Sequence, residues 1–93
     1  MSRGRILVVD DDESLRRVMQ VQLEDLGYDV ATAADGDSAL QSLQLSVREL
    51  VISDLKMPGM SGIDLLKKVR AAYPETIVVV AQLLGPSRAR WKP

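Results

Sequence analysis

Ninety-three residues suffice for one small domain, and 46% hydrophobic with 27% charged residues are the proportions of a soluble globular chain. The absence of cysteine and histidine excludes disulfides, thiol and imidazole chemistry and the usual zinc sites, so any metal is expected to be a hard cation held by oxygen. The net charge of −1 conceals an asymmetry: residues 1–84 hold 9 Lys/Arg against 13 Asp/Glu, or −4, while Arg88, Arg90 and Lys92 close the chain, so the body offers no electrostatic reason for nucleic-acid binding.

The first apolar run, Ile6–Val9, is far shorter than a secretory signal, and no stretch approaches the roughly 20 residues that span a bilayer. No membrane association is expected, and the cytoplasm is the expected location. Arg5–Val9 is continuous and β-branched, which predicts a strand buried on both faces. Asp12-Glu13-Ser14 then sets acceptors and negative charge where a helix begins. Leu15, Val18, Met19, Gln22, Leu23 and Leu26 follow at helical spacing, and Gly27 suits the left-handed position after the helix. Tyr28–Ala33 reads as a second strand.

Asp35-Gly36-Asp37 is expected as a turn into a helix from about Ser38 to Gln44. Leu50–Ser53 is a third buried strand that ends on Asp54, and Pro58, Gly59 and Gly62 make the loop beyond it. Ser61, with Asp64 three residues later, is a capping pattern for a helix whose apolar face is expected at Ile63, Leu66 and Val69, running to about Tyr73. Pro74 separates it from a fourth strand, Thr76–Ala81. This βαβαβαβ alternation with connections of about twenty residues predicts an α/β fold with a doubly wound parallel sheet.

Strand one runs into Asp10-Asp11-Asp12 and strand three closes on Asp54. Open α/β sheets bind ligands beyond the carboxyl ends of their strands, where the strand order reverses. If these two strands are neighbours, the carboxylates meet in one crevice, and their repulsion calls for a cation or a proton. Mg²⁺, which takes one or two carboxylates, several waters and a phosphate oxygen, suits such a crevice. A carboxylate there can act as a nucleophile toward phosphorus.

Ile6-Leu-Val-Val-Asp-Asp-Asp12, Ala34-Asp-Gly36 and Leu50-Val-Ile-Ser-Asp-Leu-Lys-Met-Pro-Gly-Met-Ser-Gly62 together resemble the receiver domain of two-component response regulators, in register from residue 5 to about residue 80. The resemblance implies a flavodoxin-like receiver fold and makes Asp54 the phosphoacceptor. It assigns Mg²⁺ to Asp10, Asp11 (the more direct ligand), Asp54 and the backbone carbonyl of Lys56, and implies a sensor histidine kinase as partner. The kinase would supply the histidine that this chain lacks, and the domain itself would be a switch rather than an enzyme. Arg16 and Arg17 read as a solvated helix face, with kinase docking as the functional alternative.

Two departures from the family pattern stand out. Family members end strand four with a Ser or Thr that hydrogen-bonds the phosphoryl group, whereas Ala81 or Gln82 occupies that place. Lys92-Pro93 imitates the Lys-Pro that closes the family's fifth strand, but it lies only ten positions beyond Gln82, and a crossover alone needs about a dozen residues. The expected sheet is therefore 2-1-3-4 with the fifth strand missing, a receiver domain over 1–84 and an atypical basic tail over 85–93. An apolar edge at 76–81 would then invite self-association or segment exchange. Two other functions remain open at this level. One is an interaction module that keeps the scaffold without the switch; the other is a phosphohydrolase of the haloacid-dehalogenase type, in which Asp10 rather than Asp54 would be the nucleophile.

Overall fold

The computed structural model describes residues 2–82. The tail at 85–93, the Lys92-Pro93 match and the last two residues of the expected domain lie outside the described residues. The chain alternates β1 (Arg5–Val9), α1 (Glu13–Asp25), β2 (Asp29–Ala33), α2 (Gly36–Leu45), β3 (Leu50–Asp54), α3 (Gly62–Ala72) and β4 (Ile77–Ala81). All strand pairs are parallel, and the order is β2-β1-β3-β4, as the βαβ alternation requires.

The sheet is central because its strands carry apolar side chains on both faces. Leu7, Val9 and Val51 point toward α2 and α3 and pack with Leu43, Leu65 and Val69. Ile6, Val8 and Val30 point to the other face, against Met19 and Leu23 of α1. Burying each large aliphatic side chain contributes roughly 1.5–3 kcal/mol, so Leu7, Leu43 and Leu65, all fully buried, anchor the domain.

Each helix starts on a side chain that accepts from a free backbone N–H. Asp12 accepts from Leu15, Asp35 from Ser38 and Ser61 from Asp64. Asp35 is thus a cap rather than a turn residue, and α2 begins at Gly36, two residues earlier than expected. The backbone N–H and the hydroxyl of Ser38 hold the Asp35 carboxyl below its ordinary range. After the α1 cap at Leu26, Gly27 takes φ +98°, the left-handed conformation expected of it.

The helix faces match the sequence expectation in part: Leu15, Met19, Leu23 and Val69 lie inward as expected, and the rest do not all follow. On α1 the inward row is Leu15, Met19 and Leu23, while Val18 is 41% and Leu26 58% exposed, and Gln22 is exposed. On α3 the buried pair is Leu65 and Val69, with Ile63 turned outward at 41%. An i, i+4 row is narrower than the apolar spacing in these sequences, so only the docking angle decides which flank faces the sheet. β2 and β4 each begin one residue later than expected, leaving Tyr28 and Thr76 outside the strands.

Candidate metal centre

β1 lies between β2 and β3, so the sheet reverses its winding direction at the β1/β3 junction. The register pairs Ile6 with Leu50 and Val9 with Ser53, and the next residues along are Asp10 and Asp54. Both are removed from solvent, Asp10 completely and Asp54 to 2% exposure, while Asp11 is exposed. One carboxylate oxygen from each of Asp10, Asp11 and Asp54 lies within 4.8 Å of the others.

The chain around these groups is tightly specified. Asp10 donates its backbone N–H to Ala33 O (3.1 Å), its Oδ1 accepts from the Asp12 N–H (2.8 Å), and its carbonyl accepts from the Arg16 guanidinium (2.7 Å). On the other strand, the Ser53 hydroxyl donates to Asp54 O (3.0 Å), Leu55 N–H to Ala81 O (2.9 Å) and Gly62 N–H to Leu55 O (2.9 Å). Gly62 permits the close approach of α3: a Cβ there would sit 2.2 Å from Asp54 O. Met57 in the following loop is buried against the core, so the loop is pinned on both sides.

The structure brings together three of the four residues expected to hold a cation. Lys56 is exposed on the loop two residues beyond β3. Asp12 turns away to cap α1. Two contributors were missed by the sequence reading. Arg16, read there as solvated, is half-buried and bonded to the Asp10 carbonyl. Gly62, read as a loop residue, is the seat of α3 on β3. A glycine at the first position of α3, directly after the capping Ser61, is the one sequence feature that draws attention to it; nothing in the sequence signals the Arg16 contact.

Unit charges of like sign near 4.8 Å repel by roughly 3–4 kcal/mol at an effective dielectric of about 20, less where one faces water as Asp11 does. A divalent cation relieves that repulsion. The donor set is all oxygen, two groups are held rigidly by strand ends, and the open side at Asp11 admits waters. These residues fit Mg²⁺.

A doubly wound sheet with acidic groups gathered where its strand order reverses has the architecture in which open α/β domains bind ligands. The response regulator receiver domain profile matches residues 6–83, and the chain belongs to that family. It is 42% identical over 78 residues to the DNA-binding response regulator MtrA of Mycolicibacterium smegmatis, covering 84% of this chain and 34% of that protein. Among solved structures, the chemotaxis protein CheY4 of Vibrio cholerae superposes with a TM-score of 0.81 at 37% identity, over 90% of this chain and 72% of that one. The response regulator TrrA of Thermotoga maritima, solved in complex with Mg²⁺-BeF, gives a TM-score of 0.75 at 33% identity, over 85% and 67%. The chain spans about a third of the length of curated relatives such as MtrA.

Proposed function

We propose that this chain is the phosphoacceptor module of a two-component response regulator, with Asp54 as the residue that is phosphorylated. The observation that carries this reading is the convergence of Asp10, Asp11 and Asp54 at adjacent strand ends. An Asp54 carboxylate oxygen attacks the phosphorus of a phosphohistidine on a sensor kinase. The O–P bond forms, the P–N bond breaks, and the electron pair returns to the imidazole nitrogen, leaving an acyl phosphate on Asp54. Asp10, Asp11, Asp54 and the Lys56 carbonyl would hold Mg²⁺. When bound, the ion neutralises charge on the transferring group.

The protein's own contribution is position. β3 aims the Asp54 carboxylate, and its burial strips competing water from the nucleophile. Incubation with a small acyl phosphate donor, read by intact mass, tests the reading. One phosphoryl group is expected with Mg²⁺ present and none after chelation; labelling indifferent to Mg²⁺ argues against it. On this reading the domain works in the cytoplasm.

A second reading, a receiver scaffold that associates without switching, is favoured by two features of β4. Asp54 pairs in register with Ala81, which has no hydroxyl to meet a phosphoryl group. Among the described residues β4 has a single neighbour, β3, and Ile77 and Val79 stand 65% and 46% exposed. An apolar strand with an open edge pairs readily with another chain. Sedimentation equilibrium of the 93-residue chain is expected to show a mass that rises with concentration, and Val79→Lys to suppress the rise. A strict monomer at every concentration contradicts self-association, and a change of mass on labelling contradicts the loss of switching.

A further inference from the structure

The turn that carries Asp10 and Asp11 is closed by one cation from α1. Arg16 stands on the first turn of the helix and reaches back over the cap. Its guanidinium donates to the Asp10 carbonyl at 2.7 Å and its backbone N–H to Asp12 O at 3.0 Å. Within the turn, the Asp12 N–H meets Asp10 Oδ1 and the Leu15 N–H meets Asp12 Oδ1. Arg16 therefore ties both ends of the acidic segment to α1, while the Asp10 N–H ties it to Ala33 of β2. A guanidinium delivers its donors in a rigid planar fork, so this tie fixes a direction as well as a distance.

We propose that Arg16 is a positioning residue for the candidate metal centre: by holding the Asp10 carbonyl it keeps the Asp10 and Asp11 carboxylates aimed at Asp54. This rests on the phosphoacceptor reading for its purpose and on the hydrogen bonds alone for its geometry. Two roles for Arg16 are separable by sign. If it acted only as a charge, removing a cation beside an acidic cluster would tighten Mg²⁺ binding. If it positions the turn, its removal loosens the ligands and weakens binding.

The test is a calorimetric Mg²⁺ titration of wild type, Arg16→Met, Arg16→Lys and Arg17→Met. Methionine keeps the helix propensity and the apolar stem, and Arg17 is the exposed neighbour of equal charge. Arg16→Met is expected to weaken Mg²⁺ about tenfold, the lower end of what losing a supporting partner of a metal ligand costs. Arg16→Lys should recover part of the loss, and Arg17→Met should leave affinity unchanged or slightly tighter. Affinity of Arg16→Met equal to or tighter than wild type overturns the proposal; should that variant not fold, the same result in Arg16→Ala, which also lacks the donor, overturns it equally.

Amide hydrogen exchange of the metal-free chain provides the second readout. Asp12 and Leu15 amides should exchange at least about fivefold faster in Arg16→Met, with the β1 amides unchanged. Unchanged exchange at both sites also overturns the proposal. A wild-type chain that binds no Mg²⁺ would instead sink the phosphoacceptor reading, and the exchange data would still decide the role of Arg16.

Discussion

Asp54→Asn is expected to reduce Mg²⁺-dependent phosphoryl labelling to background, the largest functional effect of any single substitution in the domain. Asparagine preserves the size of the side chain and its capacity to accept hydrogen bonds, so the strand end should stay as it is. What it removes is the anionic oxygen, and an amide oxygen is too weak a nucleophile to displace an imidazole from phosphorus. Asp11→Asn separates the two roles of the cluster. It leaves the nucleophile intact, so labelling should slow at low Mg²⁺ and recover as the metal concentration is raised. Asp37→Asn, an exposed substitution in α2, serves as the control and should label like wild type. Intact mass after donor treatment checks all three; a labelled Asp54→Asn chain would move the acceptor elsewhere, Asp10 first.

Gly62→Ala should be the most damaging small substitution for stability. The added methyl would meet the Asp54 carbonyl oxygen at 2.2 Å, its carbon at 3.1 Å and Val80 Cγ1 at 2.9 Å. The first two are backbone atoms of a strand paired on both sides, so α3 must lift instead. Overpacking of this kind costs about 3 kcal/mol, a large share of the roughly 5–15 kcal/mol that holds a small domain together. For a chain of this size the melting temperature should drop by more than about 10 °C. Gly36→Ala makes a useful contrast. Its methyl would meet Met60 Sδ at 2.6 Å and Cβ at 2.9 Å; the sulfur can turn away, but Cβ moves only with the backbone, so the half-buried Met60 loop must shift slightly, a smaller displacement than lifting α3 off β3. Thermal denaturation by circular dichroism should rank Gly62→Ala well below Gly36→Ala; equal melting temperatures would remove Gly62 from its seat between strand and helix.

The strands and their order were readable because buried parallel strands write themselves as unbroken apolar runs, as Ile6–Val9 and Leu50–Ile52 do. Aspartates that interrupt such runs at their carboxyl ends are conspicuous, and the meeting of Asp10, Asp11 and Asp54 follows once β1 and β3 are taken as neighbours. Caps were partly readable: Asp12 and Ser61 stood before periodic segments, while Asp35, followed by glycine, looked like a turn. Helix faces were readable only in part: Leu15, Met19, Leu23 and Val69 lie inward as expected. Val18 and Ile63 have the spacing of core residues and lie outside because α1 and α3 dock along their i, i+4 rows. Arg16 was opaque for a related reason. On a helical wheel it is one of two adjacent arginines, and only the path of the Asp10–Asp12 turn brings a carbonyl within reach of one of them. Gly62 was visible as a glycine but not as a contact, since the carbonyl it accommodates lies eight positions earlier in the chain.

The most direct test of the shared cation is its location. Crystals of the chain soaked in Mn²⁺, a hard divalent ion with an anomalous signal, should show one strong peak in contact with the carboxylates of Asp11 and Asp54 and adjacent to Asp10. Peaks only elsewhere, or Asp10 and Asp54 side chains turned to opposite faces of the sheet, would contradict it.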